Sequence, residues 1–216
     1  LHSDTHSFPT RRSSDLLDPA GGLPVIGIEP SEIYTLSDEY PDFFPADESI
    51  AQLAKRAWMI DEFLIRENRL ETCLPTLPTS KLPTIILHGH CYQKARPPAA
   101  DGDPVGVDAF VALLEMLGYS VEVINAGCCG MAGAFGYEAE HYDLSMQVGE
   151  LALFPAVRSA DPGAIVTASG VSCQSQIEDG AGRKVVHPIT IVYHHLLGET
   201  YVPSTDWLPD HLSVHS

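Results

Sequence analysis

Val121-Glu122-Val123-Ile124-Asn125-Ala126-Gly127-Cys128-Cys129-Gly130 decides the reading of this chain of 216 residues. The apolar, β-branched run predicts a strand, and it breaks at a glycine-bounded pair of adjacent cysteines. Neighbouring side chains leave an extended chain on opposite sides. Both sulfurs therefore cannot enter one apolar core from a strand, whereas Gly127 and Gly130 permit a tight turn that presents them together.

The same pattern recurs on either side. Thr84-Ile85-Ile86-Leu87-His88 predicts a strand that runs into Gly89-His90-Cys91, and Ala164-Ile165-Val166-Thr167-Ala168 predicts one that runs into Ser169 to Cys173. Between them, Phe110, Leu113, Leu114 and Leu117 mark a helix stopped by Gly118, and Leu144, Val148 and Leu151 mark another. Upstream, Pro24 to Ile28 reads as a strand ending at Glu29-Pro30, and Ile50, Leu53, Ala57, Ile60 and Leu64 fall at helical spacing. His187-Pro188 opens a last helix through Leu197, with proline at the permitted first turn. Strands alternating with helices predict an α/β fold, a mostly parallel sheet flanked by helices. The cysteines then sit at the carboxyl ends of strands, along the edge where such sheets bind ligands. Cys91, Cys128, Cys129 and Cys173 are the candidate ligands of a metal or cluster.

Composition narrows the class. Twelve Lys and Arg against 29 Asp and Glu give a formal net charge of −17, which disfavours nucleic acid as a partner. With 44% hydrophobic and 19% charged residues, the chain can bury a core and does not read as disordered. No apolar run reaches the ~20 residues of a transmembrane helix. Five cysteines, unevenly spaced, do not make a secreted disulfide scaffold; they read as reactive or metal-binding thiols in a reducing compartment.

Plainer readings compete for several features. Cys73, in a Pro-rich linker, reads as a small buried hydrophobe. A vicinal Cys128–Cys129 disulfide is conceivable, but a shared metal site also accounts for Cys91 and Cys173. Gly130-Met131-Ala132-Gly133-Ala134-Phe135-Gly136 has G-x-x-G-x-x-G spacing rather than the dinucleotide-binding G-x-G-x-x-G. Its glycines read better as letting backbone N–H groups approach cluster sulfurs. His88 and His90 read as outer hydrogen-bond donors or packing residues, and neither they nor His194-His195 receive a role.

His6-Ser7-Phe8-Pro9-Thr10-Arg11-Arg12-Ser13-Ser14-Asp15-Leu16 resembles one reading frame of a short-read sequencing adapter. Residues 1–16 are set aside on that reading, with the expectation that the natural protein continues upstream.

Leu87-His88-Gly89-His90-Cys91, the Gly127–Gly136 block and Ser169-Gly170-Val171-Ser172-Cys173 together resemble the cysteine-rich CCG module. That family comprises the iron–sulfur subunits and fused domains of FAD-linked 2-hydroxyacid oxidases, glycolate oxidase and anaerobic glycerol-3-phosphate dehydrogenase, with a subunit of heterodisulfide reductase as a relative. The similarity runs from Leu82 to about Leu197. Such modules come in tandem, and Gly27-Ile28-Glu29-Pro30-Ser31-Glu32 resembles the end of a first copy. The resemblance implies residues 17–80 as the tail of that copy with a helix and linker, and residues 81–216 as the CCG cysteine-rich module. Two departures stand out: Gly170 occupies the first position of the family's terminal Cys-x-x-Cys, and Glu32 stands where the first copy commonly has cysteine.

The resemblance implies an iron–sulfur cluster, a [4Fe–4S] centre on Cys91, Cys128, Cys129 and Cys173, with Zn²⁺ the alternative for four thiolates. It implies FAD in an upstream domain or subunit, oxidation there of a 2-hydroxy acid such as lactate, glycolate or 2-hydroxyglutarate, and one-electron delivery to a quinone or cytochrome acceptor. No catalytic residue of substrate oxidation is identifiable in this chain. The expected location is cytoplasmic, peripheral on the membrane face. A heterodisulfide-reductase-like thiol redox enzyme and a structural zinc module are the alternative readings.

Overall fold

A computed structural model describes residues 22–68, 70, 75 and 82–203. Residues 1–16 and Cys73, on which the sequence raised expectations, lie outside the described residues.

The described chain opens with β1 (Val25–Gly27) and α1 (Pro30–Tyr34), then a π-helical turn (Thr35–Glu39) and α2 (Tyr40–Phe43). Next come α3 (Glu48–Ala54), β2 (Ala57–Met59) and α4 (Ile60–Glu67), with β1 and β2 paired in parallel. The larger sheet follows: β3 (Ile85–His88), α5 (Cys91–Lys94), α6 (Val107–Met116), β4 (Val121–Val123) and a 3₁₀ turn (Phe135–Tyr137). It is completed by α7 (Tyr142–Glu150), α8 (Leu153–Ser159), β5 (Ile165–Ala168), α9 (Val171–Ala181), β6 (Val185–Val186) and α10 (Pro188–Leu196).

The expected α/β architecture is found: the sheet order is β4-β3-β5-β6 and every pairing is parallel. Alternation along the strands splits the interior in two. Ile85, Leu87 and Ile165 pack with Phe110, Leu113 and Leu114 of α6 and Ile191 and Val192 of α10. Ile86 and Val166 face the other way, onto Leu153, Phe154 and Val157 of α8 and Ile177 of α9. Ile33, Tyr34, Ala57 and Met59 join the first of these layers, so the β1–β2 unit shares the core of the larger sheet. After β3 the chain moves to one side, to β4, and then crosses to the other, to β5. The topological switch point therefore lies between β3 and β5, where doubly wound sheets form their ligand crevice.

Three expectations about helices need correction. The spacing from Ile50 to Leu64 predicted one helix, but α3 ends at Ala54, β2 intervenes, and α4 begins at Ile60. Pairing of Ala57–Met59 with Val25–Gly27 wins over helical periodicity in a stretch that fits both patterns. Leu144 and Leu151 face solvent, and α7 instead buries Ser145 and Gly149. Its buried face needs small residues because Phe154 lies where a Cβ on Gly149 would stand. No helix was predicted directly after Ser169, yet Cys173 lies in the first turn of α9, a helix whose buried side is Cys173, Gln176 and Ile177. With two polarisable or polar residues in that stripe, hydrophobic spacing gives α9 no signal. Among the described residues no helix is long and apolar enough to cross a membrane.

Candidate metal centre

His88 closes β3 and is buried. Two residues on, His90 caps α5: its Nδ1 accepts from the Tyr92 amide at 3.2 Å, and the Gln93 side chain accepts in turn from the His90 amide at 3.1 Å. This reciprocal cap satisfies donors that a helix start otherwise leaves orphaned. Gln93 Oε1 also accepts from Ser169 Oγ at 2.5 Å, tying the turn after β3 to the turn after β5. Cys91 is the first residue of α5 and is exposed.

The paired cysteines lie in a loop with successive unusual dihedrals: φ is 104° at Gly130, 46° at Ala132 and 67° at Gly133. Such a backbone turns consecutive N–H groups to one side, a concavity suited to anions. The Gly130 amide donates to Cys128 Sγ at 3.3 Å, and the amides of Ala132 and Met131 act to lower the pKa of Cys128 and Cys129 respectively. Only glycine fits at 130, since a Cβ there would run into the Ser145 carbonyl oxygen. Gln176 of α9 holds that carbonyl at 3.0 Å and Ser145 Oγ at 2.9 Å. The loop carrying Cys128 and Cys129 is thus braced by the helix carrying Cys173.

Cys129 and Cys173 are buried, Cys128 half-buried. Ligand-capable atoms of His88, Cys129 and Cys173 all lie within 4.8 Å of one another. Cys91 and Cys128 are outside that group of three, although Cys128 interacts with Cys129 directly. The charges of Cys173, Cys91, Cys129 and Cys128 all act on the Lys94 ammonium. Its Nζ donates to the carbonyls of Ala126 at 2.6 Å and Gly127 at 2.8 Å, immediately before the cysteine pair.

The electrostatics follow from burial and from sulfur neighbours. The bond with Cys129, together with burial, pushes the Cys128 thiol well above its ordinary range. For Cys129 the bond from Cys128 acts downward, but the bond with Cys173, burial and the Cys173 charge outweigh it, and the thiol is pushed up to about 11. Thiols held neutral and crowded in this way ionise when a cation displaces their protons. Burial, reinforced by Lys94 and His90, pushes His88 down to about 3, so its imidazole is neutral with a free lone pair. Burial likewise holds Lys94 below the usual ammonium value, with the four cysteines opposing.

Sequence reasoning named His88 without giving it a role, and missed Lys94, Gln93 and Glu29. For His88 a signal existed: it ends a strand three positions before Cys91, at the same edge as the cysteines. For Glu29 there was none, because its partner is the Val171 amide at 2.8 Å, in α9.

No family model matches the chain. It is 27% identical over 185 residues to a D-2-hydroxyglutarate dehydrogenase of Escherichia coli K12, covering 83% of this chain and 16% of that protein. To the D-2-hydroxyglutarate dehydrogenase of Pseudomonas putida it is 26% identical over 172 residues, 79% of this chain and 15% of the relative. To one subunit of the anaerobic glycerol-3-phosphate dehydrogenase of Escherichia coli K12 it is 28% identical over 180 residues, 79% of this chain and 40% of the relative. The chain therefore spans between 15% and 40% of the length of these curated relatives, and all three are dehydrogenases or parts of one.

Proposed function

We propose that this chain is the iron–sulfur electron-transfer region of a flavin-linked oxidoreductase of the 2-hydroxyacid dehydrogenase type. The observation that carries the reading is the close approach of Cys129 and Cys173 near the sheet's switch point, with free Cys91 and Cys128 on the turns after β3 and β4. The donor set fits an iron–sulfur cluster: Cys91, Cys128, Cys129 and Cys173 would hold it, and the Gly130 amide already bonds sulfur. A bound cluster exchanges single electrons, the exit route a flavin needs after taking two from a hydroxy acid.

This chain's own residues supply position and field. Gln93 and Ser169 fix the Cys91 turn against the Cys173 turn, Ser145 and Gln176 fix the cysteine pair, and Lys94 offsets thiolate charge. The similarity to D-2-hydroxyglutarate dehydrogenases supports FAD and substrate oxidation elsewhere in the whole protein. The similarity to a separate subunit of a glycerol-3-phosphate dehydrogenase supports a partner subunit as the equivalent arrangement. A quinone or cytochrome acceptor and a cytoplasmic, membrane-peripheral location belong to the same proposal.

A structural zinc site is the second reading, favoured by one distance. Ligands of a single tetrahedral Zn²⁺ at its usual bond lengths stand about 3.6–3.8 Å apart, compatible with His88, Cys129 and Cys173 lying within 4.8 Å of one another. Heterodisulfide-type chemistry has less support. A fifth thiol is missing at Gly170, where a Cβ would run into the His90 ring.

The test is iron, zinc and acid-labile sulfide content of chain purified without oxygen. About four iron and four sulfide per chain is the result expected for a cubane cluster. One zinc without sulfide would replace the electron-transfer reading with the structural one.

A further inference from the structure

Resting on the metal-centre reading above, we propose that His88 is itself a ligand, so that the centre is held by nitrogen and sulfur together rather than by thiolates alone. A ligand nitrogen of His88 lies with Cys129 Sγ and Cys173 Sγ in a group no wider than 4.8 Å. The side chain is 1% exposed, and Nδ1 is buried with no hydrogen-bond partner. Buried imidazole nitrogens left without a partner are costly, and a metal ion is a partner that this neighbourhood of sulfurs can hold.

The position in the fold agrees. His88 is the last residue of β3, the strand beside the switch point, and its backbone is fixed by parallel pairing with Ala168 of β5. Cys173 follows β5 by five residues, in the first turn of α9. Cys129 is carried by the loop that Gln176 of the same helix braces through Ser145. The three donors therefore come from elements locked to one another, which suits a ligand set held ready for a metal.

His90 is buried too, but its Nδ1 is occupied as the cap of α5 and lies 3.9 Å from Cys91 Sγ, its ring stacks on Tyr92, and it is not in the group with Cys129 and Cys173. A nitrogen ligand changes what the centre does: imidazole in place of thiolate removes a negative charge and raises the reduction potential of an iron–sulfur centre. At a Zn²⁺ site it makes a mixed Cys–His set of the ordinary structural kind.

The probe is Co²⁺, which reports its ligands whichever metal is native, added to the metal-free full chain without oxygen. Sulfur-to-cobalt charge-transfer absorption reads the cysteines, and pulsed paramagnetic resonance on ¹⁵N-histidine-labelled chain reads a bound imidazole. The expected result is a strong nitrogen coupling in the wild type, kept in His90→Gln and lost in His88→Gln, with cobalt affinity lower by about ten-fold or more in the latter. His88→Cys should restore affinity with a more intense charge-transfer band.

Charge-transfer bands without nitrogen coupling in the wild type would overturn the assignment of His88 while leaving the metal centre standing. So would a coupling that His88→Gln retains. Absence of any cobalt binding by the wild type would instead overturn the metal-centre reading, and this inference with it. If His88→Gln fails to fold, the wild-type coupling and its persistence in His90→Gln decide the matter.

Discussion

Glu29 Oε2 accepts a hydrogen bond from the backbone amide of Val171 at 2.8 Å, joining residues 142 apart in sequence. Glu29 ends the β1 turn, and its other oxygen holds Ser31 Oγ at 3.0 Å. Val171 is the first residue of α9, two before Cys173. A carboxylate at a helix N-terminus satisfies an orphan amide and complements the helix dipole. Nearby, His187 Nε2 meets the Ile28 carbonyl oxygen at 2.9 Å. The small β1–β2 unit is thereby fastened to the edge that carries the cysteines.

Glu29→Ala should cost about 1 kcal/mol of stability, the usual size of a lost cap, and Glu29→Gln less. Hydrogen exchange should quicken at the α9 N-terminus more than elsewhere. Unchanged protection of the Val171 amide in Glu29→Ala would contradict the link.

Gly130→Ala should fail to assemble the centre. The new Cβ meets the Ser145 carbonyl oxygen and forces a φ of 104° on alanine, strain of about 1–3 kcal/mol before any clash. Gly127→Ala, with nothing within 4 Å of its would-be Cβ, should leave metal content and melting temperature near wild type. Comparing the two variants by melting and by metal analysis separates a special glycine from an ordinary one.

Cys128→Ser, Cys129→Ser and Cys173→Ser should each lower bound metal to near background, whereas Cys73→Ser should not change it. Metal retained by Cys129→Ser, the cysteine that meets both Cys128 and Cys173, would remove the basis of the ligand set.

The apo chain should lose stability as pH falls below about 6.5, the ordinary histidine value. Burial holds His187, His90 and His195 below that value. The unfolded chain then takes up protons that the folded chain refuses, until the lower folded values are reached. Each such group contributes up to about 1.4 kcal/mol per pH unit within its window. His187→Asn keeps a capping side chain and should flatten the melting-temperature profile between pH 5 and 7; an unchanged slope would exclude His187 from the effect.

Asp61 carries the opposite sign. It is fully buried, neither carboxylate oxygen has a hydrogen-bond partner, and burial followed by the Glu62 charge raises it well above the usual carboxylate range. Its folded form keeps a proton that the unfolded chain has lost above about pH 4, so its cost grows as pH rises toward the folded value. Asp61→Asn should therefore gain most over wild type at neutral pH and least near pH 4. Chemical denaturation at both values checks this.

Much of the site edge was legible in the sequence. Three strand patterns each led to cysteine, and parallel sheets align strand ends, so Cys91, Cys128, Cys129 and Cys173 could be assigned to one edge without coordinates. The glycine block was readable as a tight turn beside the cysteines, where the Gly130 N–H meets Cys128 Sγ. Hydrophobic spacing failed where the buried stripe was not hydrophobic. The inner face of α9 is Cys173, Gln176 and Ile177, and that of α7 is Ser145 and Gly149. It failed again at Ala57–Met59, where a distant strand supplied the hydrogen bonds that local periodicity would have given to a helix.

By itself the sequence determined the α/β class, the strands at Ile85–His88 and Ile165–Ala168, and the glycine-bounded cysteine pair, because each depends on periodicity or on dihedral freedom within a few residues. Only the tertiary structure decided that His88 stands with Cys129 and Cys173, that Lys94 holds the Ala126 carbonyl before the cysteine pair, and that Glu29 caps the helix of Cys173. Those are contacts across 32 to 142 residues, set by strand order and register, and no local pattern of side chains encodes which strand lies beside which.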